Sequence, residues 1–414
     1  MSTRRLPLIS LSVFVFLLAT THVAMAQHEP ASGGGTIGGG STSRPSTKPA
    51  TKPATRPSTT PTRTGTTSRT TPRVNKPTTT PSTTSRPTTP AGATAKTAAD
   101  SYYQQGETLY NAQKYKEALD YYLKAADLNP TLATALYRIG WIYNDFEDYQ
   151  SALDFLKRVV LAQPNNSAAY FELGYANKKL EQYTEALVAF AAAVRLKPDY
   201  AGAHYQMGWI YNEQKNYDDA INSLKLALSN RPNYPEAHNE LGYALRNLGR
   251  YSEAIEEYEE AIKQKPDMSL AHLGLGDVYY YNTKQYAEAA RAYKKGLQLN
   301  PNNATAFYNL GWCYNDQERY SEAIEELKNA IRLKSDYAEA YNEYGYALHQ
   351  LQRYAEAVQQ YQMAIRQKTG YASAHYNLGM SYIAMNNRNA ALEQYRILQR
   401  LDNARATKLF NQIK

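Results

Sequence analysis

A period of about 34 residues runs through residues 99–405 and constrains the fold of this chain more than any other feature. One glycine marks each of its nine repeats: Gly106, Gly140, Gly174, Gly208, Gly242, Gly276, Gly311, Gly345 and Gly379. An alanine follows twelve residues after eight of these glycines and thirteen residues after Gly276. A period of this length with small residues at fixed offsets predicts a solenoid of stacked supersecondary units.

The repeat at residues 235–268 shows why each unit is expected to be a helical hairpin. Its apolar residues recur at helical spacing in two stretches, residues 241–248 and 254–262. Ser252 is the expected N-cap of the second helix, and Pro266 ends the unit because proline lacks the amide hydrogen. A single hairpin cannot bury its own apolar face, so neighbouring hairpins must stack into one continuous core.

The repeat resembles the tetratricopeptide repeat, which has Leu-Gly in its first helix, an aromatic residue in its second and a closing proline. The closing prolines are Pro130, Pro164, Pro198, Pro232, Pro266 and Pro301, and the second-helix aromatics are Tyr122, Phe190, Tyr258, Tyr293, Tyr361 and Tyr395. This resemblance covers residues 99–405. It implies an all-α fold, a right-handed superhelical solenoid of helix-turn-helix units.

The period divides the repeat region into nine units followed by a short capping helix at residues 406–414. The units are residues 99–132, 133–166, 167–200, 201–234, 235–268, 269–303, 304–337, 338–371 and 372–405. The sixth unit has one extra residue, with Asp277 where its neighbours have an aromatic residue. We expect this unit to bend or divide any groove along the solenoid.

The first 26 residues have the pattern of a secretory signal peptide. Arg4 and Arg5 precede an apolar run, and Ala24-Met25-Ala26 is a small-x-small cleavage signature. The run is too short for the roughly 20 residues that a membrane-spanning helix needs. We therefore expect export to the periplasm or the extracellular space, with no transmembrane segment after cleavage.

Residues 27–98 have the composition of a disordered linker. Ser, Thr and Pro make up 36 of the 50 residues from 41 to 90, which also contain nine Lys or Arg and no acidic residue. Such a segment cannot bury a core and is predicted to be a basic, semi-extended spacer. Its charges allow association with the cell surface, and its Ser and Thr residues would suit O-glycosylation.

The net charge of the repeat region differs in sign from that of the whole chain. The whole chain has a formal net charge of +8, but 34 basic and 37 acidic residues lie from residue 99 onward. The repeats therefore offer no basic face of the kind that specific nucleic-acid binding needs. We expect no specific nucleic-acid partner.

The sequence contains no recognisable catalytic, metal or cofactor motif. His204, His238, His272 and His375 occupy one slot of the repeat, so their spacing reflects the period rather than metal coordination. The only cysteine, Cys313, stands where other repeats have a small buried residue. No set of residues at a mechanistic spacing suggests an enzyme, and we predict none, with no cofactor and no metal.

The face of the first helix that lies away from the core is rich in aromatic residues. At about 100° per residue, the fifth, ninth and twelfth positions cluster on one side, which lines the concave groove in proteins that resemble this one. The aromatic residues are Trp141, Tyr175, Trp209, Tyr243, Trp312 and Tyr346 at the ninth position and Tyr137, Phe171, Tyr205 and Tyr308 at the fifth. They predict a partner-binding groove, because contiguous apolar patches commonly mark contact sites. The alternative is a ladder of rings that pack on the neighbouring repeat's first helix.

The twelfth position alternates along the chain and shows that the duplicated unit is a pair of repeats. Asn144, Asn212 and Asn315 occur in the tryptophan repeats, and Lys178 and Arg246 occur in tyrosine repeats. These side chains either contact an extended partner of mixed polarity or pair between adjacent repeats.

We therefore predict a non-enzymatic protein-binding scaffold or adaptor of the cell envelope or extracellular space. Its partner would be a protein or an extended peptide held in the groove. The alternative is a glycan- or peptidoglycan-binding module in which the same aromatic rings stack on sugars, since exposed tryptophan suits such ligands.

Overall fold

The computed structural model describes residues 91–414, with side chains described from Thr94 onward. The predicted signal peptide and residues 27–90 of the predicted linker lie outside the described residues. The first helices of the nine hairpins are α1 (Ala91–Asn111), α3 (Ala133–Asp145), α5 (Ser167–Lys179), α7 (Ala201–Glu213), α9 (Pro235–Asn247), α11 (Ser269–Asp277), α13 (Ala304–Asp316), α15 (Ala338–Gln350) and α17 (Ala372–Ala384).

The second helices pack against the first helices of the same and the following hairpin. They are α2 (Tyr115–Leu128), α4 (Tyr149–Ala162), α6 (Tyr183–Leu196), α8 (Tyr217–Asn230), α10 (Tyr251–Gln264), α12 (Tyr286–Leu299), α14 (Tyr320–Leu333), α16 (Tyr354–Gln367) and α18 (Arg388–Leu401). A terminal helix, α19 (Asn403–Ile413), packs on α17 and α18. The predicted all-α stack of helical hairpins is confirmed, and residues 91–414 contain no strand.

Two helix boundaries differ from the sequence-based prediction. Helix α1 begins at Ala91, inside the predicted linker at residues 27–98, because residues 91–99 are rich in alanine, the strongest helix former. Helix α19 begins at Asn403 rather than at residue 406. Its start is fixed by Asp402, whose carboxylate accepts a hydrogen bond from the amide of Arg405 at 3.0 Å.

The periodic glycine is needed where the two helices of a hairpin cross. A Cβ atom placed on Gly208 would lie 2.5 Å from Cγ of Leu224 and 3.3 Å from the carbonyl oxygen of Ala220. Ala220 and Leu224 are fully buried. The expected reason for glycine and alanine in the period, close approach of two helices, is confirmed at this crossing.

All nine hairpin turns use a left-handed residue, and the turns before α4 and α18 add a side-chain cap, from Asp148 and Asn387. Gly249 has a φ of 76°, and eight of the turns place a non-glycine residue such as Glu181 at a φ near 59°. The predicted N-cap Ser252 is wrong, because α10 begins at Tyr251 and its N-cap, Arg250, makes no side-chain capping bond. The backbone of the turn, with the amide of Arg250 donating to the carbonyl of Leu245, sets that helix start instead.

The four histidines of the periodic slot fasten the turn between repeats. Nε2 of each ring lies within 2.9–3.2 Å of a backbone carbonyl oxygen six residues earlier. The accepting residues are Pro198, Pro232, Pro266 and Thr369. The period therefore explains these histidines, as expected.

The extra residue of the sixth repeat is absorbed by a π-helix at Val278–Thr283, which continues α11. Lys284 then adopts the left-handed conformation, and the amide of Gln285 donates to the carbonyl of Tyr279 at 2.8 Å. The insertion lies on the first helix, so it changes the residues that face the groove and leaves the second helix, α12, regular.

Candidate functional site

The ninth-position aromatic rings form a ladder that joins each repeat to the one before it. Each ring is partly buried and stands edge-on to the tyrosine that begins the preceding second helix. The pairs and the distances between ring centres are Trp141–Tyr115 at 5.7 Å, Tyr175–Tyr149 at 6.4 Å, Trp209–Tyr183 at 6.2 Å, Tyr243–Tyr217 at 6.2 Å, Trp312–Tyr286 at 4.8 Å and Tyr346–Tyr320 at 6.3 Å. Edge-on contacts at this range are favourable aromatic pairs.

These partner tyrosines were missed in the sequence analysis, which placed the ladder on the neighbouring first helix. The signal was present, because eight of the nine second helices begin with tyrosine. Trp141 and Trp312 also meet the preceding first helix, through Tyr110 at 5.4 Å and Tyr280 at 5.0 Å.

The fifth-position rings pack mainly inside their own repeats. Phe171, Tyr205 and Tyr308 lie 4.9–5.1 Å from the tyrosine that ends the same repeat, measured between ring centres. Tyr308 is buried, while Tyr137 is partly buried, and burial raises the pKa of Tyr137 to about 12. Packing therefore accounts for most of this row.

The three twelfth-position asparagines bind a glutamate of the following repeat. The Nδ2 group of each donates both to the backbone carbonyl and to Oε2 of that glutamate. The pairs are Asn144 with Glu172 at 3.1 and 2.9 Å, Asn212 with Glu240 at 3.0 and 3.0 Å, and Asn315 with Glu343 at 3.2 and 3.3 Å. The polar residues of the predicted groove thus link adjacent repeats.

The two basic residues of the predicted groove also bind the following repeat. Lys178 donates to Oε1 of Gln206 at 2.6 Å, and its Nζ lies 3.8 Å from the ring centre of Trp209. Arg246 donates to Oδ2 of Asp277 at 2.6 Å. Of the two expectations for these charges, pairing between repeats is the one the geometry supports.

Burial changes the acid–base behaviour of this face. Burial raises the pKa of Glu240 to about 7, against the opposing hydrogen bond from Asn212, and it also raises the pKa of Glu172. Burial lowers the pKa of Lys178 to about 8. The charged groups are therefore held in surroundings that favour their neutral forms.

One arrangement occurs three times along the groove, and we call it the acidic–aromatic site. Each site joins a tryptophan, an asparagine and an acid of one repeat to a glutamate and a tyrosine of the next. Site 1 has Trp141, Asn144, Asp145, Glu172 and Tyr175; site 2 has Trp209, Asn212, Glu213, Glu240 and Tyr243; site 3 has Trp312, Asn315, Asp316, Glu343 and Tyr346.

The acidic–aromatic sites differ in how open they are. Site 1 lines an open cleft of ≈ 230 Å³, which Phe171 and Gln206 complete. Site 2 borders an enclosed void of ≈ 30 Å³, with Arg246 and Asn239 in its wall. Site 1 therefore has the space for a side chain of a partner.

The sixth repeat interrupts the series between sites 2 and 3. Asp277 takes the place of the ninth-position aromatic ring and accepts hydrogen bonds from Arg246 and from the hydroxyl of Tyr293, the latter at 2.8 Å. The exposed Tyr281 of the π-helix donates to Oδ1 of Asn309 at 3.1 Å. These contacts replace the aromatic lining with a polar network.

Across residues 91–414, no group of three His, Cys, Asp or Glu side chains is placed to hold a metal ion. Cys313 is fully buried, as predicted, and burial raises the pKa of its thiol. No helix in the described part of the chain is both long and apolar enough to cross a membrane.

Comparison with protein-family models identifies tetratricopeptide repeats along this region. The models match residues 97–160, six overlapping segments between 137 and 372, and residues 372–405. A search of curated proteins finds no match.

Two of the solved structures similar to this chain are described as TPR proteins. YrrB, described as a TPR protein with an unusual peptide-binding site, is 25% identical with a TM-score of 0.44, over 46% of this chain and 100% of that chain. MamA is 25% identical with a TM-score of 0.39, over 41% and 93%. The C-terminal part of a TPR repeat-containing protein from Cytophaga hutchinsonii is 18% identical with a TM-score of 0.48, over 58% and 98%.

Proposed function

Because the chain belongs to the tetratricopeptide repeat family, we propose that it is a protein-binding scaffold whose groove holds an extended segment of a partner protein. The observation that carries this proposal is the open cleft at site 1. Its wall combines the aromatic rings of Trp141, Phe171 and Tyr175 with the carboxylates of Asp145 and Glu172. Aromatic anchors beside a few polar groups are the usual composition of a recognition site.

The charge of the groove specifies the partner further. Each acidic–aromatic site brings one accessible acid to this face beside its more buried glutamate, namely Asp145, Glu213 or Asp316. The basic residues Lys178 and Arg246 already bind Gln206 and Asp277. The groove therefore favours a segment that carries basic side chains and presents N–H donors, because like charges at an interface are excluded.

The glycan alternative makes a different demand on the same residues. In a glycan-binding module, a sugar ring would stack on an open indole face. At site 2 the ammonium group of Lys178 covers the ring of Trp209 at 3.8 Å, which disfavours a stacked sugar there. Glycan binding is an outcome that the experiment below distinguishes.

We also propose that the protein is exported and acts in the cell envelope or outside the cell. The support is the signal-peptide pattern of residues 1–26, with Ala24-Met25-Ala26 before the expected cleavage point. N-terminal sequencing of the protein from the source organism tests this, since cleavage at the expected point during export gives a mature chain that begins at Gln27. An N-terminus at Met1 or Ser2 would contradict it.

The binding proposal is tested by neutralising the groove while leaving its packing intact. The groove variant carries Asp145→Asn, Glu213→Gln and Asp316→Asn in the full chain, one change at each site. The control variant carries Asp120→Asn, Asp154→Asn and Glu256→Gln, which lie exposed at one equivalent position of α2, α4 and α10.

Ligands are captured from envelope extract with the native chain and with both variants, after circular dichroism has shown equal helicity. We expect the native chain and the control variant to retain the same proteins and the groove variant to lose them. If all three retain the same proteins, the groove is not the binding face. If the ligand lost by the groove variant is a glycan, the glycan alternative replaces this proposal.

A further inference from the structure

Each acidic–aromatic site contains a buried hydrogen-bond acceptor that has no partner. Asn144, Asn212 and Asn315 are only 6%, 3% and 3% exposed, and Nδ2 of each is committed to the following glutamate. The Oδ1 atom of each of the three accepts no hydrogen bond. An unpaired buried acceptor is unfavourable, so its recurrence at three equivalent places points to a ligand that supplies a donor.

Site 2 shows what kind of group fits beside the tryptophan, although its Lys178 donates to Gln206 and leaves Oδ1 of Asn212 without a partner. There the Nζ of Lys178 lies over the ring of Trp209, and it is near enough to Glu240 and Glu213 for both charges to act on it. A cation on the face of an indole ring, close to carboxylates, is a strong arrangement. The residues that stand in the place of Lys178 before sites 1 and 3 are Tyr110 and Tyr280, which bring no charge.

The chain's own N-terminal segment has the matching chemistry. Residues 44–57 read RPSTKPATKPATRP, so four basic residues are each followed by proline at a spacing of four. A residue before proline favours extended backbone, and proline-rich segments bind to aromatic-lined grooves. Residues 41–90 include no acidic residue that would oppose this contact.

We propose that residues 44–57 bind along the groove of their own chain, with a Lys or Arg side chain in the open cleft of site 1, and so compete with the partner. This inference rests on the proposed function, since it places a second ligand in the same groove. The segment lies 34 residues before Ala91. At about 3 Å per extended residue it can reach on the order of 100 Å, well beyond the 20 Å length of a 13-residue helix such as α3 (about 1.5 Å per residue).

The covalent link between this segment and the repeats compensates for weak binding. A covalent tether gives an effective concentration on the order of 1 mM. If the free segment binds with a Kd on the order of 0.1 mM, the tethered segment weakens the apparent affinity of a competing peptide about 10-fold. The contact should also weaken as salt increases, because its charges lie at a solvent-exposed groove.

The test uses a fluorescein-labelled synthetic peptide of residues 41–60, added to full-chain protein and followed by fluorescence anisotropy. The released variant carries Lys48→Gln, Lys52→Gln and Arg56→Gln, which removes three of the charges before proline. The matched control carries Arg63→Gln, Arg69→Gln and Arg73→Gln, the same charge change at residues that do not precede proline.

We expect the peptide to bind the released variant about 10-fold more tightly than it binds the native chain or the matched control. Addition of Asp145→Asn and Glu172→Gln to the released variant should abolish the gain. Equal affinities for all three chains would overturn the inference, as would an equal gain in the matched control, which would mean non-specific charge attraction. Absence of binding to every chain would also overturn it, while the capture experiment above still decides independently whether the groove binds a protein.

Discussion

The crossing of α7 and α8 gives a quantitative test of why glycine recurs in this chain. Gly208→Ala would place a methyl group 2.5 Å from Cγ of the buried Leu224 and 3.3 Å from the backbone oxygen of Ala220. The backbone atom can move only if α8 moves. Overpacking of this kind costs about 1–3 kcal/mol, and the helix propensity of alanine returns about 1 kcal/mol. We expect a net destabilisation of up to about 2 kcal/mol.

The same helix provides a control substitution that is expected to change the stability in the opposite direction. Gly202 also lies in α7, but a Cβ atom there would have its nearest contact at 3.6 Å, with the ring of Phe171. Gly202→Ala should therefore stabilise the chain by about 0.5 kcal/mol, through helix propensity alone. Thermal unfolding followed by circular dichroism should show the two midpoints moving in opposite directions.

A double-mutant cycle identifies the clash as the cause. Leu224→Ala alone should cost about 2–5 kcal/mol, but in the Gly208→Ala background the shortened side chain also relieves the close contact. The two changes should therefore couple by at least about 1 kcal/mol. The reasoning is refuted if Gly208→Ala is neutral or stabilising, or if the two substitutions are additive.

Three further predictions concern stability and pH. Because burial raises the pKa of Glu240 to about 7, folding disfavours its ionised form. Glu240→Gln should raise the free energy of unfolding by about 1–3 kcal/mol at pH 8, from the size of the shift, and by much less at pH 5. An equal effect at both pH values would contradict this. Burial lowers the pKa of His238, but the hydrogen bond and the charge of Glu257 outweigh burial and raise that pKa. This pair therefore stabilises the fold fully below the ordinary value of 6.5 and less as pH rises through the raised pKa. Glu257→Gln should flatten this part of the plot of unfolding midpoint against pH, and an unchanged plot would argue against the pair. Glu181→Gly relieves a left-handed turn residue at φ 59° and should raise the free energy of unfolding in urea by about 0.5–1 kcal/mol. A lower free energy of unfolding would show that the turn is not strained.

The sequence predicted the architecture well because its period repeats the same physical constraint nine times. The Gly208 crossing and the buried Cys313 follow from size alone, since only small residues fit between close helices. Helix starts were less predictable. Ser252 has the composition of an N-cap, yet the backbone of the Gly249 turn determines where α10 begins.

The groove could be predicted as a face but not as a set of contacts. Helical spacing placed Trp209 and Asn212 on one side of α7, but it contains no information about which residue of the preceding repeat approaches them. The contact of Lys178 with Trp209 joins residues 31 positions apart, and it depends on how far one hairpin turns relative to the next. That rotation arises from packing along the whole stack.

The asparagine–glutamate links have a mechanical consequence. They join repeat 2 to 3, repeat 4 to 5 and repeat 7 to 8, while the hydrogen bond from Arg246 to Asp277 joins repeat 5 to repeat 6. A chain of hairpins that touch only their neighbours behaves as a one-dimensional series of joints. Under tension or mild denaturant, such a molecule should open joint by joint, beginning at the joint whose polar contacts are weakest. The groove could therefore lengthen in steps around a partner while the hairpins on either side remain folded.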